Sequence, residues 1–125
     1  MELRYNSLAG LVRAATESGR QISELVLADQ AKQMERDPKL LFQEMDRRLT
    51  VMDEAADEGV QPDLRSTSGL TGGSAYLLRI AADSGNTLCG GVFTRALARA
   101  LAVSELNAAM GRIVAAPTAG SCGIL

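Results

Sequence analysis

An all-α fold is predicted by three observations. Apolar residues recur at helical spacing through most of the chain, capping and breaking residues fall between the recurrences, and strand-like alternation never lasts more than a few residues. With 125 residues, 46% of them hydrophobic, the chain is long enough for one domain with its own core.

The elements follow in order. Ser7 can accept from the free N–H groups of a first helix, in which Leu8, Leu11, Val12 and Ala15 share a face and which Gly19 ends. Ser23 with Glu24 opens a second, carrying Leu25, Val26, Ala28, Ala31 and Met34. Asp37-Pro38 then starts a third, with Asp37 as cap and Pro38 at the first helical position, where a missing N–H costs nothing. Leu41, Met45, Leu49, Met52 and Ala56 form one stripe of that helix and charges occupy its other side, so a surface helix with one buried face is expected, stopping at Gly59. Between 61 and 74 the composition turns to Pro, Gly, Ser and Thr, which marks a loop. It separates an amphipathic packing half, residues 1–60, from a small-residue half, residues 61–125. Ser74 is the expected cap of a short apolar helix over 75–82. The last helix, 91–110, has Arg95 and Arg99 on a face that continues as Ala102, Leu106 and Met110. Its final three turns are apolar almost all round, which predicts burial and leaves Ser104, Glu105 and Asn107 each in need of a partner. Glu105 could reach solvent, pair with Arg112, or brace the loop that follows. Arg112-Ile113-Val114 is the only strand candidate.

Composition excludes several function classes. The formal charge is -2 with the basic residues scattered, so no nucleic-acid footprint is present. No run approaches the roughly 18 apolar residues of a spanning helix, and the first residues lack a basic stretch followed by an apolar core, so no membrane association is expected and the cytoplasm is the expected location. Histidine is absent, which removes the commonest general base and the commonest metal ligand together. A site must therefore be built from thiol, carboxylate, hydroxyl and backbone groups. Cys89 and Cys122 are too few for a disulfide framework or a zinc site. Cys89, between Leu88 and Gly90, reads as a small buried hydrophobe. Cys122 differs because Gly120 and Gly123 flank it and let the backbone expose the thiol.

Two loops are candidates for chemistry. Ser68-Gly69-Leu70-Thr71-Gly72-Gly73-Ser74-Ala75 leads into a helix, and N–H groups at such a start suit a phosphate or carboxylate, although a tight turn without a ligand is the simpler reading of the motif alone. It is not a P-loop, because the spacing fails and no lysine follows the glycines. Pro117-Thr118-Ala119-Gly120-Ser121-Cys122-Gly123 offers N–H groups, hydroxyls and a thiol, and the two loops could face each other. Ile124 and Leu125 look like the first turn of another buried element, so the chain reads as the front part of a longer protein, cut where its chemistry begins.

Ser68-Gly69-Leu70-Thr71-Gly72-Gly73, the run Ala102-Val103-Ser104-Glu105-Leu106-Asn107-Ala108-Ala109-Met110-Gly111, and residues 112–125 resemble the alpha chain, or alpha domain, of the iron-sulfur L-serine dehydratases. The Pro117-Thr118-Ala119-Gly120-Ser121-Cys122-Gly123-Ile124 order is specific, since helix and turn chemistry do not dictate it. The likeness continues as pattern alone through the N-terminal helices, and it covers only the first part of the family's alpha region. It implies an all-helical domain with glycine-rich substrate and cluster loops. It also implies a 4Fe-4S cluster held by three cysteines with one iron open as a Lewis acid, and conversion of L-serine to pyruvate and ammonia. Cys122 matches the first cluster ligand, the others belonging to a segment beyond Leu125, and Cys89 matches none. Ser68, Gly69, Thr71, Gly72 and Gly73, with Pro117, Thr118, Ala119 and Gly120, become the expected substrate-binding residues, Thr71 and Thr118 facing each other across the substrate carboxylate. Relatives often carry an acidic residue where Ser74 stands, which bears on substrate preference.

The resemblance also implies a beta chain or domain as partner, and an oligomer is expected. Pyridoxal phosphate is disfavoured, because a Schiff base needs a suitably placed lysine and only Lys32 and Lys39 exist, both on the charged N-terminal helices. Two other readings stand beside the lyase: a truncated, catalytically silent helical module that only packs with a partner, and an L-cysteine desulfidase-like enzyme of related architecture. The 125 residues alone are expected to fold loosely, bind no cluster and lack lyase activity.

Overall fold

Ser7 accepts a hydrogen bond from the Gly10 N–H at 3.1 Å and starts the first helix at the expected place. Residues 7–115 are the part of the chain that the computed structural model describes, and five helices follow one another there without a strand among the described residues. They are α1 (Leu8–Ser18), α2 (Ile22–Gln33), α3 (Pro38–Gly59), α4 (Ser74–Ser84) and α5 (Gly91–Ala108). The all-α expectation holds. No helix among the described residues is long and apolar enough to cross a membrane. Contacts divide the chain into two compact units, Met1–Arg47 and Arg48–Leu125, and the division falls inside α3.

In the first unit, Gly19 closes α1 as expected. The second helix begins earlier than Ser23, with Gln21 as its cap: the Gln21 N–H donates to Glu24 Oε2 at 2.9 Å, and a carboxylate reaching back in this way fixes the start. Its buried residues are Leu25, Asp29 and Ala31, whereas Ala28 and Met34 are exposed. Asp29 accepts from Gln33 Nε2 at 2.7 Å, which gives the buried carboxylate a partner. Asp37 caps α3, its Oδ1 accepting the Lys39 N–H at 2.8 Å. Arg36 forks onto Glu44 at 2.8 and 3.0 Å, and that hydrogen bond, then the charge behind it, holds the guanidinium pKa above its ordinary value.

The second unit is built on small residues. The expected α3 stripe holds in part: Ala56 is buried and Leu41 and Met52 are half-buried, but Met45 and Leu49 are exposed, and the buried positions gather at the far end of the helix as Ala55, Ala56 and Gly59. The reason is close approach. A Cβ on Gly59 would collide with the Ala102 carbonyl of α5, so the two backbones touch where a larger residue could not fit. Ala55 and Ala56 form one cluster with Val103 and Leu106, against which Leu64 and Ile113 pack. Val60, Ala75 and Ala102 form a second, flanked by Leu101. The latter joins α4 to α5.

Gly59→Ala tests this packing through its sign. In an open helix the change would stabilise by up to about 1 kcal/mol. Here it should destabilise by about 1 to 3 kcal/mol through overpacking, read as a lower Tm by circular dichroism. A raised Tm would show that α3 and α5 do not touch at that point.

The last helix is not buried all round. Its inner face is Thr94, Ala98, Ala102, Val103, Glu105 and Leu106, while Ser104, Asn107 and Met110 are exposed. Ser104 and Asn107 therefore meet solvent and need no protein partner. The helix ends at Ala108, short of the expected Met110, which takes a φ of 64° beyond it. Residues 112–114 form no strand: Ile113 packs on the first cluster and Arg112 Nη2 reaches Glu54 Oε2 at 3.2 Å.

Candidate functional site

The glycine-rich loop before α4 is organised by its own hydroxyls. The Ser66 N–H donates to the Thr71 carbonyl at 2.8 Å, and the Thr71 N–H donates back to Ser66 Oγ at 3.1 Å. Ser68 Oγ shares a 3.1 Å hydrogen bond with Ser66 Oγ and accepts the Leu70 N–H at 3.4 Å. The Gly69 N–H donates to the Ser66 carbonyl at 2.8 Å. Serine and threonine side chains thus take the loop amides that helix or sheet would otherwise satisfy. Thr71 is exposed, and among the described residues its hydroxyl has no hydrogen-bond partner.

Gly72 and Gly73 have steric reasons to be glycine. Gly72 lies at φ 133°, and a Cβ there would collide with the Leu64 carbonyl; Gly73, at φ 85°, is buried beside the Arg65 guanidinium. Arg65 Nη1 in turn donates to the carbonyls of Pro62 at 3.1 Å and Leu64 at 2.6 Å.

The start of α4 corrects one expectation: Gly73, not Ser74, is the cap residue. Of the two readings of the loop, the external-anion one loses its donors, because the amides are occupied from within the chain. Glu105, 6% exposed on α5, accepts the Gly73 N–H at 3.1 Å, the Ser74 N–H at 3.0 Å and the Ala75 N–H at 3.3 Å. A carboxylate at a helix N-terminus meets the positive end of the helix dipole and orphan donors at once, which is what makes its burial tolerable. Glu105 therefore does not pair with Arg112, which has Glu54, and the loop that it braces is the one before α4.

One turn along α5, the Ala108 carbonyl accepts two hydrogen bonds from Thr67, the N–H at 3.2 Å and Oγ1 at 3.1 Å. Thr67 is not among the residues expected from sequence, because its acceptor lies 41 residues away and no local pattern points to it. Of the expected site residues, the structure brings together Ser68, Gly69, Thr71, Gly72 and Gly73. Pro117, Thr118, Ala119, Gly120 and Cys122 lie outside the described residues, as does the expected facing of Thr71 and Thr118.

Cys89 is exposed beside the cap residue of α5, correcting the buried reading: the short α4–α5 connection also leaves Leu88 fully in solvent, with no core to receive either side chain. Among the described residues no three His, Cys, Asp or Glu side chains converge on a metal-sized space. A separate cleft of about 210 Å³ opens where α3, α4 and α5 meet. Its rim holds the Arg95–Asp83 ion pair at 3.2 Å, and none of the expected site residues lines it.

Comparison with known proteins agrees with the resemblance seen in the motifs. The family model described as serine dehydratase alpha chain matches residues 17–125. The probable L-serine dehydratase, alpha chain, of Bacillus subtilis (strain 168) is 36% identical over 121 residues, 97% of this chain and 40% of that protein. The L-serine dehydratase, alpha chain, of Peptoniphilus asaccharolyticus is 32% identical over 120 residues, 96% of this chain and 41% of that protein. The chain thus spans about two-fifths of the length of these curated relatives. No solved structure matches it. A family match over most of the chain, with relatives at this identity, establishes that the chain belongs to the serine dehydratase alpha chain family.

Proposed function

We propose that the chain is part of an L-serine dehydratase that converts L-serine to pyruvate and ammonia, with residues 68–73 as a substrate loop and a beta chain as partner. One observation supports the reading beyond family membership: the glycine loop is bonded to Glu105 and Ala108 in the last turns of α5, so two of the segments that carry the resemblance, 68–73 and 102–111, meet in the fold.

The proposed 4Fe-4S cluster finds no fit among the described residues, where no ligand set converges and Cys89 stands alone and exposed. Three thiolates are required and the chain has two cysteines in all, so Cys122 would supply one ligand and the rest would come from outside these residues. What this chain's own residues can do is bind and orient substrate. With the α4 amides taken by Glu105, the hydroxyl of Thr71, which has no partner among the described residues, is the loop's donor for the substrate carboxylate, and Thr118 would be its counterpart.

Prepared anaerobically with its beta partner, the enzyme should form pyruvate from L-serine without added pyridoxal phosphate, and iron chelation should abolish the activity. Undiminished turnover after chelation would overturn the iron-dependent reading. Thr71→Val should raise the KM for L-serine about tenfold or more, as expected when a hydrogen bond to a charged group is lost, with the visible absorption of the cluster unchanged. An unchanged KM would remove Thr71 from the site.

A further inference from the structure

Both ends of the glycine loop are fastened to the same turn of the same helix. At its start, Thr67 donates twice to the Ala108 carbonyl. At its end, the Gly73, Ser74 and Ala75 amides converge on the Glu105 carboxylate, three residues earlier on α5. Between these fastenings the loop is held, among the described residues, only by its own hydrogen bonds, such as Ser66 with Thr71: Leu70 is 87% exposed, and Ser68, Gly69 and Thr71 are exposed as well. Beyond Ala108 the chain turns sharply, the Gly111 N–H returning to the Leu106 carbonyl at 2.9 Å. Arg112 and Ile113 then anchor it to α3 residues, close in sequence to Pro117.

We propose that Glu105 and Thr67 are positioning residues, which hold the substrate loop in register by clamping both of its ends to the last turn of α5. The proposal rests on the reading of residues 68–73 as the substrate loop. A displacement of about 0.5 Å at a binding constellation is enough to weaken it, so a clamp of this kind governs substrate affinity without touching substrate. Glu105 is suited to the task because it is buried and reaches a whole helix start. Thr67 is suited because its N–H and hydroxyl fix both its backbone and its side chain on one carbonyl.

The test uses the intact, cluster-loaded enzyme with its beta partner. Glu105→Gln keeps one oxygen acceptor but loses the charge and the second oxygen. It should raise the KM for L-serine about tenfold, with kcat within about threefold and cluster absorption per protomer unchanged. Thr67→Val should raise KM severalfold, and Thr67→Ser, which restores the hydroxyl, should return it to the parental value. Hydrogen exchange at the Thr71 amide should quicken in Glu105→Gln and Thr67→Val but not in Thr67→Ser. A lowered Tm with parental KM and parental Thr71 exchange would make both residues structural only and overturn the proposal, as would loss of the cluster absorption in place of the KM change. If the unmodified enzyme makes no pyruvate, the functional reading fails by itself, and Thr71 exchange still decides whether the clamp holds the loop.

Discussion

Cys122→Ser in the intact enzyme should abolish the visible absorption of the cluster and lower L-serine turnover by more than about 100-fold, beyond what loss of an outer-shell partner costs a metal site. Thiolate is a far better iron ligand than a hydroxyl, and of the two cysteines only Cys122 lies in the motif that resembles the cluster loop. Cys89→Ser should leave both signals at the parental level, because Cys89 is exposed and belongs to no metal-sized cluster of His, Cys, Asp or Glu among the described residues. Absorption and activity measured on the two variants side by side check the assignment. Equal loss in both would make Cys89 a participant.

Glu105→Ala should be the most destabilising single change in the second unit, by about 2 to 5 kcal/mol, since each stranded buried donor costs about 1 to 3 kcal/mol. It leaves three backbone donors without their acceptor, and the Gly73 and Ala75 amides are buried where water cannot readily replace it. Ser74 is exposed, so its amide recovers part of the loss from solvent. A fall in Tm of more than about ten degrees should follow. Glu105→Gln should lose less, since its carbonyl oxygen still accepts. Thermal unfolding followed by circular dichroism measures both, and a change below about 1 kcal/mol in Glu105→Ala would mean that water caps α4 adequately.

The legible parts of the chain were those whose cause lies within a few residues. Ser7, Gly19 and Asp37-Pro38 marked helix ends correctly because caps act on the next turn. The start of α2 was misplaced by a short distance because Glu24, rather than Ser23, supplies the capping oxygen. The start of α4 was misread for a different reason. Its capping group comes from Glu105, some thirty residues further along, and no local pattern names such a partner. The sequence did mark Glu105 as a polar residue on an apolar helix that needed one, so the demand was visible and the supplier was not. The α3 stripe holds at Ala56 but not at Met45 and Leu49, because periodicity counts large apolar residues, while this packing selects small ones.

That choice of small residues changes how the protein should be probed. Alanine-scanning mutagenesis finds interior positions by deleting side-chain atoms, yet Ala55, Ala56, Ala75, Ala82, Ala98 and Ala102 have nothing left to delete. A conventional scan would pass over these six positions and sample the interior of the second unit only at residues such as Val60, Val103, Glu105 and Leu106. The informative library runs in the opposite direction, adding a methyl group at a time along the α3–α5 and α4–α5 seams and reading where folding fails. The same logic applies to comparing relatives: at these seams a swap of alanine for valine or leucine, conservative by hydropathy, is a change of helix spacing and a marker that the partner helix has moved.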